Sequence, residues 1–321
     1  MTARAPLKIA ILDDYLRVAE KLADWSRLPP GSELVVFDRP IPDRDALLAA
    51  LRPFDVVVLM RERTPFPAAL IEALPNLRLL VTTGGRNAAI DLAACRAREI
   101  PVSGTGGVGT PTAELTWGLI LALVKRIPAE DRALRAGTWQ TGLTEGIAGK
   151  RLGLVGLGKL GTQVARVGLA FGMEVVAFSQ NLDDTRAAAA GARRVDKAEL
   201  FATSDVVSLH LVLGERTRGI VGADELSAMK PSAFFVNTSR AGLVDMDALL
   251  AALQARRIAG AGLDVFPEEP LPASHPLCAL PHVVLTPHLG YVTRENFAVF
   301  YQDALDDILA WHRGAPVRLL T

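Results

Sequence analysis

Short apolar runs alternate with longer, helix-patterned stretches along the whole chain, and this alternation constrains the fold more than any other feature. KIAIL (Lys8–Leu12), DVVVLM (Asp55–Met60), LRLLVT (Leu77–Thr82) and IPVSG (Ile100–Gly104) form a first series, with amphipathic stretches such as Asp43–Leu51 and Asp91–Arg98 between them. A second series follows: RLGLVG (Arg151–Gly156), MEVVAF (Met173–Phe178), DVVSLH (Asp205–His210), AFFVNT (Ala233–Thr238), AGAGLDVF (Ala259–Phe266) and HVVLTPH (His282–His288). Strands that alternate with helices form βαβ units on a parallel sheet. The expectation is therefore an α/β fold. Thr110–Lys125 reads as a buried helix, with Thr110 as N-cap and Pro111 at the first helical position. Arg135–Lys150 reads as irregular, and Arg294–His312 as a closing helix.

Composition narrows the function classes. The chain has 321 residues, half of them hydrophobic, enough for two domains with sizeable cores. Lys+Arg and Asp+Glu both count 35, so no basic excess points to nucleic acid or to a membrane surface. Cys95 and Cys278 are far apart and form no CxxC, which argues against a disulfide framework and a metal site. No signal peptide and no membrane-length apolar run is read, so the expected compartment is cytoplasmic.

Gly156-Leu157-Gly158-Lys159-Leu160-Gly161 is a GxGxxG between an apolar strand, Leu152–Val155, and a helical stretch, Leu160–Phe171. The first glycine permits a tight turn, the second lets the backbone approach a pyrophosphate, and the third lets helix and strand pack closely. That context predicts dinucleotide binding through Gly156, Gly158, Lys159, Leu160 and Gly161. The next strand ends in Ser179, Gln180 and Asn181, where an NAD-binding chain would carry a carboxylate for the ribose hydroxyls. Neutral donors there do not repel a 2′-phosphate. The cofactor expectation is thus NAD or NADP, favouring NADP, although the nearest arginine in sequence is Arg186.

Three later strands each end in a functional side chain: Arg240, Glu269 and His288. Ligands of open α/β sheets bind at the carboxyl ends of strands. Arginine can fix a carboxylate with a two-pronged fork. Histidine can give a proton to a keto oxygen, and a neighbouring carboxylate favours its imidazolium form.

With these residues in place, the chain resembles the D-isomer-specific 2-hydroxyacid dehydrogenase family. The resemblance implies two flavodoxin/Rossmann-like domains with parallel sheets. The cofactor domain (104–289) is inserted into a substrate domain (1–103 plus 290–321). It implies that Arg240 binds the substrate carboxylate and carbonyl, that Glu269 partners the histidine, and that His288 is the general acid/base. Glu269 is chosen over Glu268 because it precedes Pro270-Leu271. The resemblance further implies that Asp264 holds the nicotinamide carboxamide and that Thr110, His210, Thr238, Ser239 and Gly290 line the cofactor cleft. His210 is expected to act there through its backbone. A homodimer is expected, built on the Thr110–Lys125 helix and the arm after it. The substrate is a small 2-keto or 2-hydroxy acid, with a glyoxylate/hydroxypyruvate type favoured. A phosphoglycerate dehydrogenase-like activity and a non-catalytic dinucleotide-sensing role stand as alternatives.

One segment departs from the family pattern. A glycine-rich turn that presents backbone amides to the substrate carboxylate matches Thr83–Asp91 here, but carries Arg86 and Asn87 at its centre. Gly85, Arg86, Asn87 and Arg61 are the expected substrate contacts from this part of the chain, with Arg240 and His288. The Arg86 side chain has two readings: a further cation for substrates with a second anionic group, or an ion pair with Glu62 or another carboxylate.

Overall fold

The computed structural model describes residues 5–321. The chain divides into two compact units, Met1–Val108 with Thr293–Thr321, and Gly109–Val292. Both are α/β with all-parallel sheets, as the alternation of strand and helix patterns predicts.

The first unit holds β1 (Lys8–Ile11), β2 (Glu33–Val36), β3 (Val56–Leu59), β4 (Leu79–Thr82) and β5 (Val102–Gly104), in the order β2-β1-β3-β4-β5. The helices between them are α1 (Ala19–Leu22), α2 (Arg44–Leu51), α3 (Ala68–Ala73) and α4 (Leu92–Ala97). β3 and β4 are buried along their whole length, which is why they read as unbroken apolar runs. β2 was not expected. It is an edge strand with alternate residues exposed, and its apolar run, Leu34–Phe37, is short. Asp43 and Asp91 start α2 and α4 by accepting the amides of Ala46 and Ala94.

The second unit opens with α5 (Pro111–Val124) and α6 (Ile127–Arg135). Its seven-stranded sheet has the order β12-β11-β10-β9-β6-β7-β8. The strands are β6 (Arg151–Val155), β7 (Glu174–Phe178), β8 (Arg193–Arg194), β9 (Val206–Leu209), β10 (Phe234–Asn237), β11 (Gly260–Leu263) and β12 (Val283–Leu285). The helices are α7 (Lys159–Ala170), α8 (Asp184–Ala189), α9 (Lys197–Thr203), α10 (Ala223–Ala228) and α11 (Met246–Gln254). The strand order reverses at the β6/β9 boundary, the place where doubly wound sheets bind ligands.

Two local expectations are corrected. Thr110 precedes α5 but its side chain accepts no cap hydrogen bond, because its backbone is helical (φ −108°, ψ −30°) rather than extended. A helix also precedes the irregular segment: α6 starts after Arg126, whose left-handed backbone (φ 52°) turns the chain out of α5.

The chain closes with α12 (Arg294–His312), which belongs to the first unit. Phe297, Phe300, Tyr301, Ala304, Leu305 and Ile308 form its buried stripe at helical spacing. Its Asp307 is fully buried, with one oxygen 2.9 Å from the Arg318 guanidinium. Among the described residues no helix is long and apolar enough to cross a membrane, and no His/Cys/Asp/Glu group could hold a metal ion.

Candidate active site

The turn after β6 lies where the strand order of the second unit reverses. Gly156 has φ +104°, and a Cβ on it would lie 2.7 Å from the carbonyl oxygen of His210, just after β9. A Cβ on Gly161 would lie 2.2 Å from the Gly156 carbonyl oxygen. Both obstacles are backbone and cannot swing aside. A Cβ on Gly158 would meet nothing within 4 Å, so the space over the turn is open. The first amides of α7 have no acceptor inside the helix, and Gly158, at the N-cap, has no side chain to supply one. This cradle fits a dinucleotide diphosphate. Exposed Lys159 and half-buried Leu160 occupy the same first turn.

Ser179, Gln180 and Asn181 follow β7 with no carboxylate among them. Asp183 is engaged as the N-cap of α8, accepting the Arg186 amide at 2.7 Å. Arg186 folds back, and its Nη1 donates to the Asn181 carbonyl at 3.0 Å. Sequence spacing alone placed this guanidinium too far away; the tight start of α8 returns it to the strand tip. At the tip of β9, burial pushes the His210 imidazole down to about 4. It is therefore neutral near pH 7, with Nε2 2.9 Å from the Ser208 hydroxyl.

Arg240, Glu269 and His288 lie in the same unit, each beyond the end of a strand. Glu269 Oε2 is 2.7 Å from His288 Nδ1, and Oε1 accepts the Phe266 amide at 2.9 Å. Burial pulls the Glu269 pKa upward. The hydrogen bond and charge of His288, the Phe266 amide and the charge of Arg240 outweigh burial and hold it below the ordinary value. Arg240 thus acts electrostatically on the pair, and its Nη1 donates to the Ser239 carbonyl at 2.8 Å. The His288 and Glu269 side chains are 20% and 31% exposed, open to a ligand yet partly shielded from water. Glu269 and not Glu268 makes the contact with His288.

His288 itself is in the left-handed region, φ 53°, which costs a non-glycine residue about 1–2 kcal/mol. The strain is held by Asp264, fully buried after β11. Its Oδ1 accepts the Thr286 hydroxyl (2.6 Å) and the Leu289 amide (2.7 Å), and its Oδ2 accepts the Gly290 amide (2.9 Å). The donors flank His288 on both sides. Burial keeps the Asp264 carboxyl above its ordinary pKa against the pull of these donors and of the His288 charge. The sequence singled out Asp264 for the cofactor; its clamp on the histidine loop was not legible, because it depends on which strand lies next to β12.

Residues 117–290 match the family described as D-isomer specific 2-hydroxyacid dehydrogenase, NAD binding domain. The chain belongs to that family. A glyoxylate reductase of Aeropyrum pernix is 37% identical over 284 residues, 85% of this chain and 84% of that protein. A D-3-phosphoglycerate dehydrogenase of Mycobacterium tuberculosis is 38% identical over 286 residues, 87% of this chain; the chain spans about half, 53%, of that relative. The crystal structure of a phosphoglycerate oxidoreductase from Vibrio cholerae superposes with a TM-score of 0.91 at 40% identity, covering 96% of this chain and all of the other. The protein is accordingly an NAD(P)-dependent oxidoreductase of D-2-hydroxy acids.

For a 2-hydroxyacid dehydrogenase, several expected cofactor contacts have their polar atoms already engaged. The buried Thr238 hydroxyl is 2.8 Å from the Thr116 hydroxyl of α5. Ser239 donates its hydroxyl to the Leu209 carbonyl and its amide to Asn237. Gly290 gives its amide to Asp264, and its carbonyl accepts from Thr112 at 2.7 Å. Thr110 is exposed just before α5.

The remaining expected residues lie in the first unit, at the ends of β3 and β4. Gly84 has φ +85°, and its amide donates to the Thr105 hydroxyl. Asn87 is a structural post rather than an exposed donor. Its Nδ2 donates to the Arg61 carbonyl (2.6 Å) and the Thr82 hydroxyl (2.9 Å), and its Oδ1 accepts the Ala89 amide. The amides of Gly85, Arg86 and Asn87 find no acceptor among the described residues. Arg86 is exposed and makes no ion pair among the described residues, so the pairing with Glu62 considered from sequence is not formed.

Proposed function

We propose that the protein reduces a small 2-keto acid to the D-2-hydroxy acid, and runs the reverse oxidation, at the Arg240–Glu269–His288 cluster. The observation that carries this reading is the 2.7 Å contact between Glu269 and His288 beside Arg240. A bound nicotinamide dinucleotide supplies the hydride. The Arg240 guanidinium holds the substrate carboxylate. His288 has Nδ1 committed to Glu269, so Nε2 is the atom that gives its proton to the keto oxygen, while the carboxylate steadies the imidazolium. The amides of Gly85, Arg86 and Asn87 are proposed as further donors to a substrate anion.

His288→Ala should lower kcat by about 10²–10⁴-fold while leaving dinucleotide affinity intact. The check is stopped-flow kinetics alongside a binding titration, and near-normal turnover refutes the assignment. Because reduction of the keto acid takes up a proton overall, raising the pH should disfavour reduction and lowering it should disfavour oxidation.

Within the cofactor class we propose NADP(H). Support comes from the carboxylate-free tip of β7 and from the Arg186 guanidinium beside Asn181. Titration with NADPH and NADH tests this, and a strong preference for NADH refutes it. We also propose a homodimer. Ile127, Leu134, Trp139 and Leu143 are 53%, 56%, 76% and 96% exposed along α6 and the arm after it, beside a cavity of about 440 Å³ lined in part by Leu123, Arg132, Phe234 and Val283. A second copy of this chain fits that apolar face, and a monomeric mass in solution refutes the reading.

A further inference from the structure

The contact between His288 and Glu269 leaves one motion of the imidazole open. A single hydrogen-bond contact, Nδ1 to Glu269 Oε2 at 2.7 Å, fixes where that nitrogen lies. It does not fix the plane of the ring, because the second side-chain torsion of histidine is broad and has no sharp staggered wells. Rotation about the Nδ1···Oε2 line would swing Nε2, the atom assigned the proton, out of position. A second contact has to set that plane.

Tyr291 makes such a contact, and both residues belong to the second unit. The two ring centroids are 5.2 Å apart and the planes are inclined at 72°, the edge-to-face arrangement that aromatic pairs prefer. The backbone between them leaves the tyrosine little freedom. The Val292 amide donates to the Leu289 carbonyl at 2.8 Å and closes a turn over Leu289–Val292. Gly290, inside that turn, gives its amide to Asp264, and its carbonyl accepts the Thr112 hydroxyl of α5. A Cβ on Gly290 would lie 3.1 Å from Asp264 Oδ2 and 3.3 Å from Thr112 Cγ2, so the turn is packed by both partners. A turn held at its second residue returns its third, Tyr291, to the imidazole.

We propose that Tyr291 is a positioning residue for His288: its ring holds the imidazole in the plane from which Nε2 delivers the proton. This rests on the reading of His288 as general acid given above. The ring performs the task and the phenolic hydroxyl is not required for it.

The test is a double-mutant cycle on kcat for keto-acid reduction, with the wild type, Tyr291→Leu, His288→Ala and the double variant, and with Tyr291→Phe beside them. Glyoxylate, pyruvate, hydroxypyruvate and oxaloacetate are tried with both dinucleotides, and the best pair is used, in single turnovers where a variant is slow. Tyr291→Leu should lower kcat by about 10- to 100-fold, the cost of misplacing a reacting group by about 1 Å. Its KM and dinucleotide affinity should stay within about threefold of wild type, as for an interaction that matters only in the transition state. Tyr291→Phe keeps the ring and should recover kcat to within about threefold. In the His288→Ala background, Tyr291→Leu should cost no more than about twofold, because no imidazole remains to be placed. A merely structural role would carry the same loss into both backgrounds. That additive result, an unchanged kcat in Tyr291→Leu, or an equal loss in Tyr291→Phe overturns the proposal. If Tyr291→Leu does not fold, Tyr291→Met, closer in volume, takes its place in the cycle. Near-normal turnover in His288→Ala, or a wild type inert on every pair, overturns the general-acid reading on which the proposal rests.

Discussion

Both sheets place a glycine turn at the carboxyl ends of central strands, yet the glycines serve opposite purposes. In the second unit, Gly156 and Gly161 are bare because backbone would occupy the Cβ position: the His210 and Gly156 carbonyls at 2.7 and 2.2 Å. In the first unit, Gly84 is bare because the end of a side chain, Arg61 Nη1, would occupy it at 1.8 Å. Backbone in a parallel sheet cannot give way, whereas a guanidinium can rotate out. A short Cβ distance therefore predicts a large cost only when the obstacle is immobile.

Two fully buried carboxylates, Asp264 and Asp307, show a parallel difference. Asp264 receives donors on both oxygens from one loop, which offset part of the cost of its burial and hold the loop. Asp307 meets Arg318 on one oxygen, while its Oδ2 is buried without a hydrogen-bond partner among the described residues. Burial, with Asp303 and Asp306 adding repulsion, pushes Asp307 up to about 7 despite Arg318.

Three experiments can break these comparisons. Gly161→Ala should have the largest effect, near the upper end of overpacking costs, about 3 kcal/mol, together with loss of dinucleotide binding. Urea unfolding and a binding titration measure both, and an unaltered affinity would show that the β6–α7 turn can yield after all. Gly84→Ala should cost less, about 1–2 kcal/mol, nearly all from holding alanine at φ +85°. It should spare dinucleotide binding. A cost exceeding that of Gly161→Ala would reverse the distinction between mobile and immobile obstacles.

The smallest effect concerns Asp307. Its folded pKa lies above the ordinary 3.8, so the protonated form favours the fold. That contribution is complete below the unfolded value and is lost as pH rises through about 7. Asp307→Asn should therefore flatten the decline in stability between about pH 4 and 7. Melting temperatures at the two ends of that window measure it, and a slope identical to wild type would assign the decline to other groups.

The legible part of this protein was what repeats or what chemistry demands at fixed spacing. Buried strands such as Val56–Leu59 and Leu79–Thr82 announce themselves as apolar runs because both faces are covered. The GxGxxG is legible by its spacing between strand and helix: Gly156 and Gly161 are bare because backbone crowds their Cβ positions, and Gly158 leaves the space over the turn open. β2 and α6 were missed: α6 is a surface helix and carries no unbroken apolar run, while the run in β2, Leu34–Phe37, is short and lies on a half-exposed edge strand. The side chains around the site were legible by type but not by partner.

Arg240, Glu269 and His288 could be named from strand-end residues and a resemblance. The return of Arg186 to Asn181, the Asp264 clamp and the failure of Arg86 to pair with Glu62 could not. Sequence determined the alternation of elements and the identity of the reactive groups, because helix, strand and glycine-turn preferences act over a few residues. Tertiary structure alone decided which groups meet, because a contact such as Glu269 to His288 or Asp264 to Gly290 depends on the order of strands across a sheet, which no local preference specifies.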